Sequence, residues 1–223
     1  MNKNLVVLSV FISTVIFGQD MVKMKSAVFT VNPKKSFTKN TSGINVGVLD
    51  VYKKQTINGL NLQANPLSLI YPLIPTAIPV PTKEASTVVV NGLHLSTGGM
   101  TDGEKLNGVG ISMYHHARTT NGFSVNFYNN TSGSLNGIHL SGFANSSDKG
   151  VGINAAFLGN YSDDFGGVQV SCFNNSKKMK GLQVGLVNKS EHLRGIQLGL
   201  WNVNEKRKFP LINWNFKAKN KKS

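Results

Sequence analysis

Five histidines, ten acidic residues and one cysteine are the groups this chain of 223 residues offers for metal binding, acid–base work or nucleophilic attack. His115-His116 is the one pair with a metal-like look. Adjacent strand residues point to opposite faces, so the two are badly placed to share an ion, and no Asp, Glu or Cys lies nearby in sequence. His94 and His139 fall at equivalent places in a repeat, but several units apart. Asp163-Asp164 reads as turn chemistry, and Cys172 as a small core residue in an apolar column. A single cysteine excludes an internal disulfide. No Gly-x-Ser-x-Gly elbow, His-Glu-x-x-His helix or phosphate loop is present. With so few acids, a carboxylate pair for glycoside cleavage would have to be assembled from turn residues. The expectation is a non-enzymatic protein with no cofactor and no metal.

Two other groups of residues bear on contact instead of catalysis. Lys and Arg number 24 against 10 Asp and Glu, a net charge of +14. That balance favours anionic partners. Lys206, Arg207, Lys208, Lys217 and Lys219 concentrate it near the C terminus and are the candidates for anion or surface contact; residues 217–223 alternatively form a solvated basic tail. The second group is apolar. Residues 66–81, PLSLIYPLIPTAIPVP, hold five of the seven prolines, and no charge occurs from Gln55 through Thr82. Proline rules out a helix or an interior strand there. Ile70, Tyr71, Leu73 and Ile74 are therefore candidates for membrane or partner contact, unless the segment folds over one end of the repeat as a cap.

The elements that must position these residues are repetitive. GVQVSCFNN from Gly167, GLQVGLVNK from Gly181 and GIQLGLWNV from Gly195 are versions of one unit, which recurs at Gly152, Gly137, Gly122, Gly108, Gly92, Gly59 and Gly43. From Gly92 onward the steps are 16, 14, 15, 15, 15, 14 and 14 residues. The residue after each glycine is apolar (Ile138, Ile153, Val168), as is the residue two further on (Leu140, Ala155, Val170). Between them stand His139, Asn154 and Gln169, and elsewhere Asn, Ser, Gln, Gly or, once more, His (His94). Such alternation means a strand with one buried face. Asn160, Asn174, Asn188 and Asn202 close the later strands with turn chemistry. A further apolar residue, such as Leu135, Phe165, Met179 or Leu193, stands two before the next glycine, which calls for a corner or bulge.

The fold class is all-β, tandem repeats of about 15 residues. Two closures are open. In a β-solenoid each unit is one coil and the apolar columns pack on one another. In an antiparallel up-and-down β-barrel each unit is one strand, with the Gln/Gly/Ser face inside and the apolar face toward lipid. A single repeating unit with one kind of turn favours the solenoid, since a meander repeats as a two-strand hairpin.

Residues 1–19 read as a secretory signal: Lys3 in a short polar start, an apolar run from Leu5 to Phe17, and Gly18-Gln19 as the cleavage edge. The run falls short of the roughly 20 residues of a membrane span. Residues 20–42 form an N-terminal segment, and 43–216 the repeat domain. GLQVGLVN, GIQLGLWN and the closing KRKFPLINWNF resemble the surface-repeat family of Gram-negative bacteria, built from tandem Gly-Leu-Gln-x-Gly-Leu-x-Asn units. The likeness is close from Gly167 to Phe216 and degenerate back to Gly43. It implies export to the cell surface or outer membrane, with the periplasm as a further setting, and supplies no catalytic residues. The function expected is a structural, adhesive or binding role in the envelope, with a small outer-membrane barrel or channel as the alternative. Expected partners are an anionic glycan, lipopolysaccharide, an envelope protein or the membrane. Nucleic acid is not expected, because export removes the usual target.

Overall fold

A computed structural model of the chain describes residues 26–32, 40–48, 55–65, 88–98 and 104–216. Every regular element among the described residues is a strand: β1 (Ser26–Asn32), β2 (Asn40–Val48), β3 (Gln55–Ala64), β4 (Val88–Ser96), β5 (Lys105–Ser112), β6 (His115–Asn126), β7 (Asn129–Ser141), β8 (Ala144–Ala156), β9 (Gly159–Val170), β10 (Phe173–Val203) and β11 (Lys208–Asn215). From β1 to β10 each strand pairs in parallel with the next. Only β11 runs antiparallel, folding back along the end of β10. Repeating glycines lie side by side, Gly137 on Gly152 and Gly152 on Gly167. The protein is a β-solenoid. The barrel alternative fails because the neighbours are parallel and the strand order is open, from β1 to β11.

The coils that begin at Gly108, Gly122, Gly137, Gly152 and Gly167 break their extended geometry at three places and so have three short sides. One is the glycine, whose φ lies between 119° and 156° in all ten units. A Cβ there would overlap the carbonyl oxygen of the residue one coil earlier, a glycine in nine of the ten (Gly152 against Gly137) and Val28 at Gly43. Only glycine fits both demands. The second is the bend at the fifth and sixth residues, for instance Phe127-Tyr128 and Gly142-Phe143. The third lies four before the next glycine, where the pairing skips one residue: Gly133, Asp148, Asp163 or Lys177.

Register survives the long insertion. Gln55 pairs with Val88 and Gly59 with Gly92, so β3 and β4 are successive coils despite the step of 33. The proline-rich stretch with Ile70, Tyr71, Leu73 and Ile74 lies outside the described residues, as do residues 1–19 and 217–223.

The sidedness differs from expectation. The polar column faces inward: Asn45, Asn61, His94, Ser124, His139, Asn154, Gln169, Gln183 and Gln197 are all buried. The apolar columns beside it face out, with Ile138 and Ile153 at 44% and 40% exposure. The solenoid thus has the facing expected of the barrel. The apolar interior comes from the residue two before each glycine: Ile57, Val90, Leu106, Leu135, Phe165, Met179 and Leu193 are at most 1% exposed. That residue and the polar one two after glycine share parity, so both point inward across the corner. Thr120 and Gly150 interrupt the apolar row, and the Phe165 ring occupies the space a side chain at Gly150 would take.

Cys172 is only half-buried, at the bend and not in the core. Asp163-Asp164 lies within β9, not a free turn, and Asp163 pairs with Lys177 on the next coil at 2.8 Å.

Candidate functional site

Side-chain ladders inside the coil hold its sides in place. Asn145 Nδ2 donates to Asn160 Oδ1 at 2.9 Å, Asn160 to Asn174 at 3.0 Å, Asn174 to Asn188 at 2.8 Å and Asn188 to Asn202 at 2.8 Å. The same amides reach across to backbone carbonyls, as Asn174 does to Val184 O at 2.9 Å. A second ladder joins Gln197 to Gln183 at 2.8 Å and Gln183 to Gln169 at 2.9 Å. Spacing of one coil is what makes these bonds possible, since identical amides then stack at the strand separation of about 4.8 Å.

Because polar groups occupy the inside, the outside of one side is apolar. From each repeating glycine to the sixth residue after it, none of the ten units contains Asp, Glu, Lys or Arg. The first and third residues form two aliphatic columns, and the fifth and sixth add a ridge with Phe127, Phe143, Phe157, Phe173, Leu200 and Trp201. Phe127 and Phe157 project most, at 67% and 71% exposure. β11 continues the columns, with Trp214 beside Ile196 and Ile212 beside Leu198. Ten strands at about 4.8 Å by six residues at about 3.3 Å give a wall of roughly 900 Å². A monomer's largest apolar patch is usually about 300–600 Å². Ala155 and Ala156 stand where neighbouring coils carry Leu140 and Val170, Ser141 and Ser171, and leave a shallow apolar groove of about 410 Å³ beside Phe127.

Most of the charge of the described coils lies on the other two sides; Lys180 and Arg194 stand on the glycine rim, and Arg207 stacks on Trp214 where β11 extends the wall. Lys149, Asp163, Asp164, Lys177, Lys178 and Glu191 lie between the bend and the next glycine. Along the glycine rim of the wall a further amide ladder runs from Asn136 to Asn121 at 2.9 Å, Asn121 to Asn107 at 2.8 Å, Asn107 to Asn91 at 2.7 Å and Asn91 to Asn58 at 2.8 Å.

His115 is buried and His116 half-buried on the opposite face. His94 and His139 are buried in one column, and His115 packs edge-on to His94 with ring centroids 6.2 Å apart. Burial holds all three imidazoles below their usual range, His94 and His139 at about 4. The neutral His94 and His139 rings each join the polar column through Nδ1, while neither ring nitrogen of His115 has a hydrogen-bond partner among the described residues. Asn61 Nδ2 donates to His94 Nδ1 at 2.8 Å, and Ser124 Oγ meets His139 Nδ1 at 2.8 Å. Among the described residues, no group of three or more His, Cys, Asp or Glu is placed to hold a metal ion.

Of the basic candidates, Lys206 and Arg207 are built into the C-terminal end. Lys206 Nζ donates to Asn215 at 2.9 Å. Arg207 Nε donates to Asn213 at 2.8 Å, Nη2 to the Trp214 carbonyl at 3.1 Å, and the guanidinium lies 4.3 Å from the Trp214 ring centre. Lys208 is exposed, and Lys217 and Lys219 fall outside the described residues. The outward wall was missed from sequence; its signal was the shared parity of Leu135 and His139 across Gly137. Comparison with family models, with curated proteins and with solved structures finds no match.

Proposed function

We propose that the chain is a non-enzymatic, exported repeat protein of the Gram-negative envelope or cell surface, with a structural, adhesive or binding role carried by its faces. The single observation behind this reading is the outer wall, where ten units in succession present apolar residues and no charge. A wall of that kind is built for contact, since a catalytic centre needs convergent titratable groups in a cleft. The likeness of Gly167 to Phe216 to surface-repeat units and the signal-like residues 1–19 support the location. The excess of cations, with Lys208 exposed near the end of the solenoid, favours an anionic glycan, lipopolysaccharide or an acidic envelope protein as partner.

Fractionation of expressing cells, followed by N-terminal sequencing of the recovered protein, tests this reading. A chain beginning at Asp20 in the envelope fraction is the expected result. Full-length chain confined to the cytosol overturns it. An alkaline, high-salt wash of the envelope then separates attachment by charge, which it releases, from apolar contact, which it leaves in place.

A further inference from the structure

The outer wall is larger than a monomer usually leaves bare, and its anatomy is that of a protein interface. We propose that the chain pairs with a second copy of itself, wall against wall, as a two-fold symmetric dimer. The roughly 900 Å² available per chain matches the roughly 800 Å² per partner of a standard stable interface. The aliphatic side chains of the two columns stand flush, none more than 44% exposed from Leu93 to Ile196, so two such sheets can close to about 10 Å.

The surroundings of the wall favour protein over lipid. Surfaces that lie in a bilayer interface are rich in Lys and Arg at their polar margin. Here the glycine rim is an uncharged amide ladder through five coils, from Asn58 to Asn136, and among the ten units it carries a cation only in the last two, at Lys180 and Arg194. An apolar centre with a polar rim is the usual build of a protein–protein contact. The wall is also self-complementary in kind. It carries projecting rings, Phe127 and Phe157, and a groove at Ala155 and Ala156, and a two-fold axis presents each feature of one copy to the other. Most of the charge lies on the two sides that slope away from the contact, so the net charge of +14 per chain does not oppose it directly. None of this depends on where in the cell the protein resides.

Sedimentation equilibrium of the purified full chain at micromolar concentration is the test. A mass near twice 24.1 kDa is expected. The double substitution Ile138→Lys/Ile153→Lys, outward on the wall, is expected to raise the dissociation constant by at least about 100-fold with an unchanged far-ultraviolet spectrum. Lys178→Glu, on another side, leaves the dimer intact. Should the lysine variant not fold, Ile138→Thr/Ile153→Thr keeps β-branched residues in the strands and tests the same contact. A monomeric wild type overturns the proposal, as does a dimer indifferent to both wall variants. So does a chain that floats with phosphatidylcholine vesicles and shows no self-association.

Discussion

Acid should unfold this protein through its buried histidines. His94 and His139 are buried and titrate at about 4, against 6.5 for a free imidazole. The cause is desolvation, and at His94 protonation would also turn an accepting Nδ1 toward the amide hydrogens of Asn61. Since the folded value lies below the unfolded one, the unfolded chain binds more protons between pH 6.5 and about 4. Stability is full above that window and falls as pH drops through it. The gap from 6.5 to about 4 corresponds to roughly 3 kcal/mol per histidine, several kcal/mol for the two together. His115, also held low by burial and by its histidine neighbours, adds to this. A domain's whole stability is about 5–15 kcal/mol, so the coils around His94 to His139 should open near pH 4 to 5. Urea melts followed by circular dichroism from pH 7.5 to 4 measure the effect. The control is His94→Gln/His139→Gln, which installs the amide that already fills this column at Gln169, Gln183 and Gln197. The variant should lose several kcal/mol less than wild type over the same range. Equal pH dependence in the two proteins would refute the assignment.

Three other substitutions probe the parts of the coil. Asn174→Leu removes a side chain that donates to Asn188 and Val184 O and accepts from Asn160 and Ser171; with partners left buried at about 1–3 kcal/mol each, chemical denaturation should show a loss of at least about 3 kcal/mol. Gly152→Ala sets a Cβ at φ 131° against the Gly137 carbonyl, and the strain alone costs about 1–3 kcal/mol, so its melting temperature should fall by several degrees. Arg207→Lys keeps the charge but loses the fork that joins Asn213, the Trp214 carbonyl and the ring; tryptophan fluorescence should report a loosened C-terminal end and a stability loss of about 1 kcal/mol.

Much of the architecture was legible in the sequence because it is repetition. The glycine column, the alternation around it and the step of 14 to 16 residues are each local, and one kind of turn already favoured coils over a meander. Sidedness was not legible from alternation, because a period of two says that Ile138 and His139 point oppositely without saying which is inside. Burial of the apolar face is the usual outcome in a sheet, and that habit gave the wrong side. The apolar residue before glycine held the answer. Leu135 and His139 share parity, so they had to enter the interior together, with Ile138 left outside. The ion pair at Asp163 escaped for a related reason: residues one coil apart are far in sequence and adjacent in space.

The inversion has a physical rationale in the size of the coil. With 14 or 15 residues divided over three short sides, the interior is only about one side chain deep, too thin for the interdigitated layers of an ordinary core. What fits is a stack of side chains, and from Asn145 to Asn202 and from Gln169 to Gln197 these satisfy one another along the solenoid axis, although buried Asn154 leaves both amide atoms without a partner among the described residues. Asn and Gln do this better than Leu, because each amide both donates and accepts, and a one-coil spacing presents it to its own copy above and below. Two apolar clusters, one of Ile57, Val88, Val90, Leu106 and Ala117 and one of Phe165, Met179 and Leu193, share the interior with those bonds. The remaining aliphatic residues are then left facing outward. Their uninterrupted occurrence through ten units, where Thr, Lys or Glu would serve an exposed strand as well, is not accounted for by the coil alone. It is accounted for once something apolar and equally flat lies against them, and a second copy of the same wall has both properties.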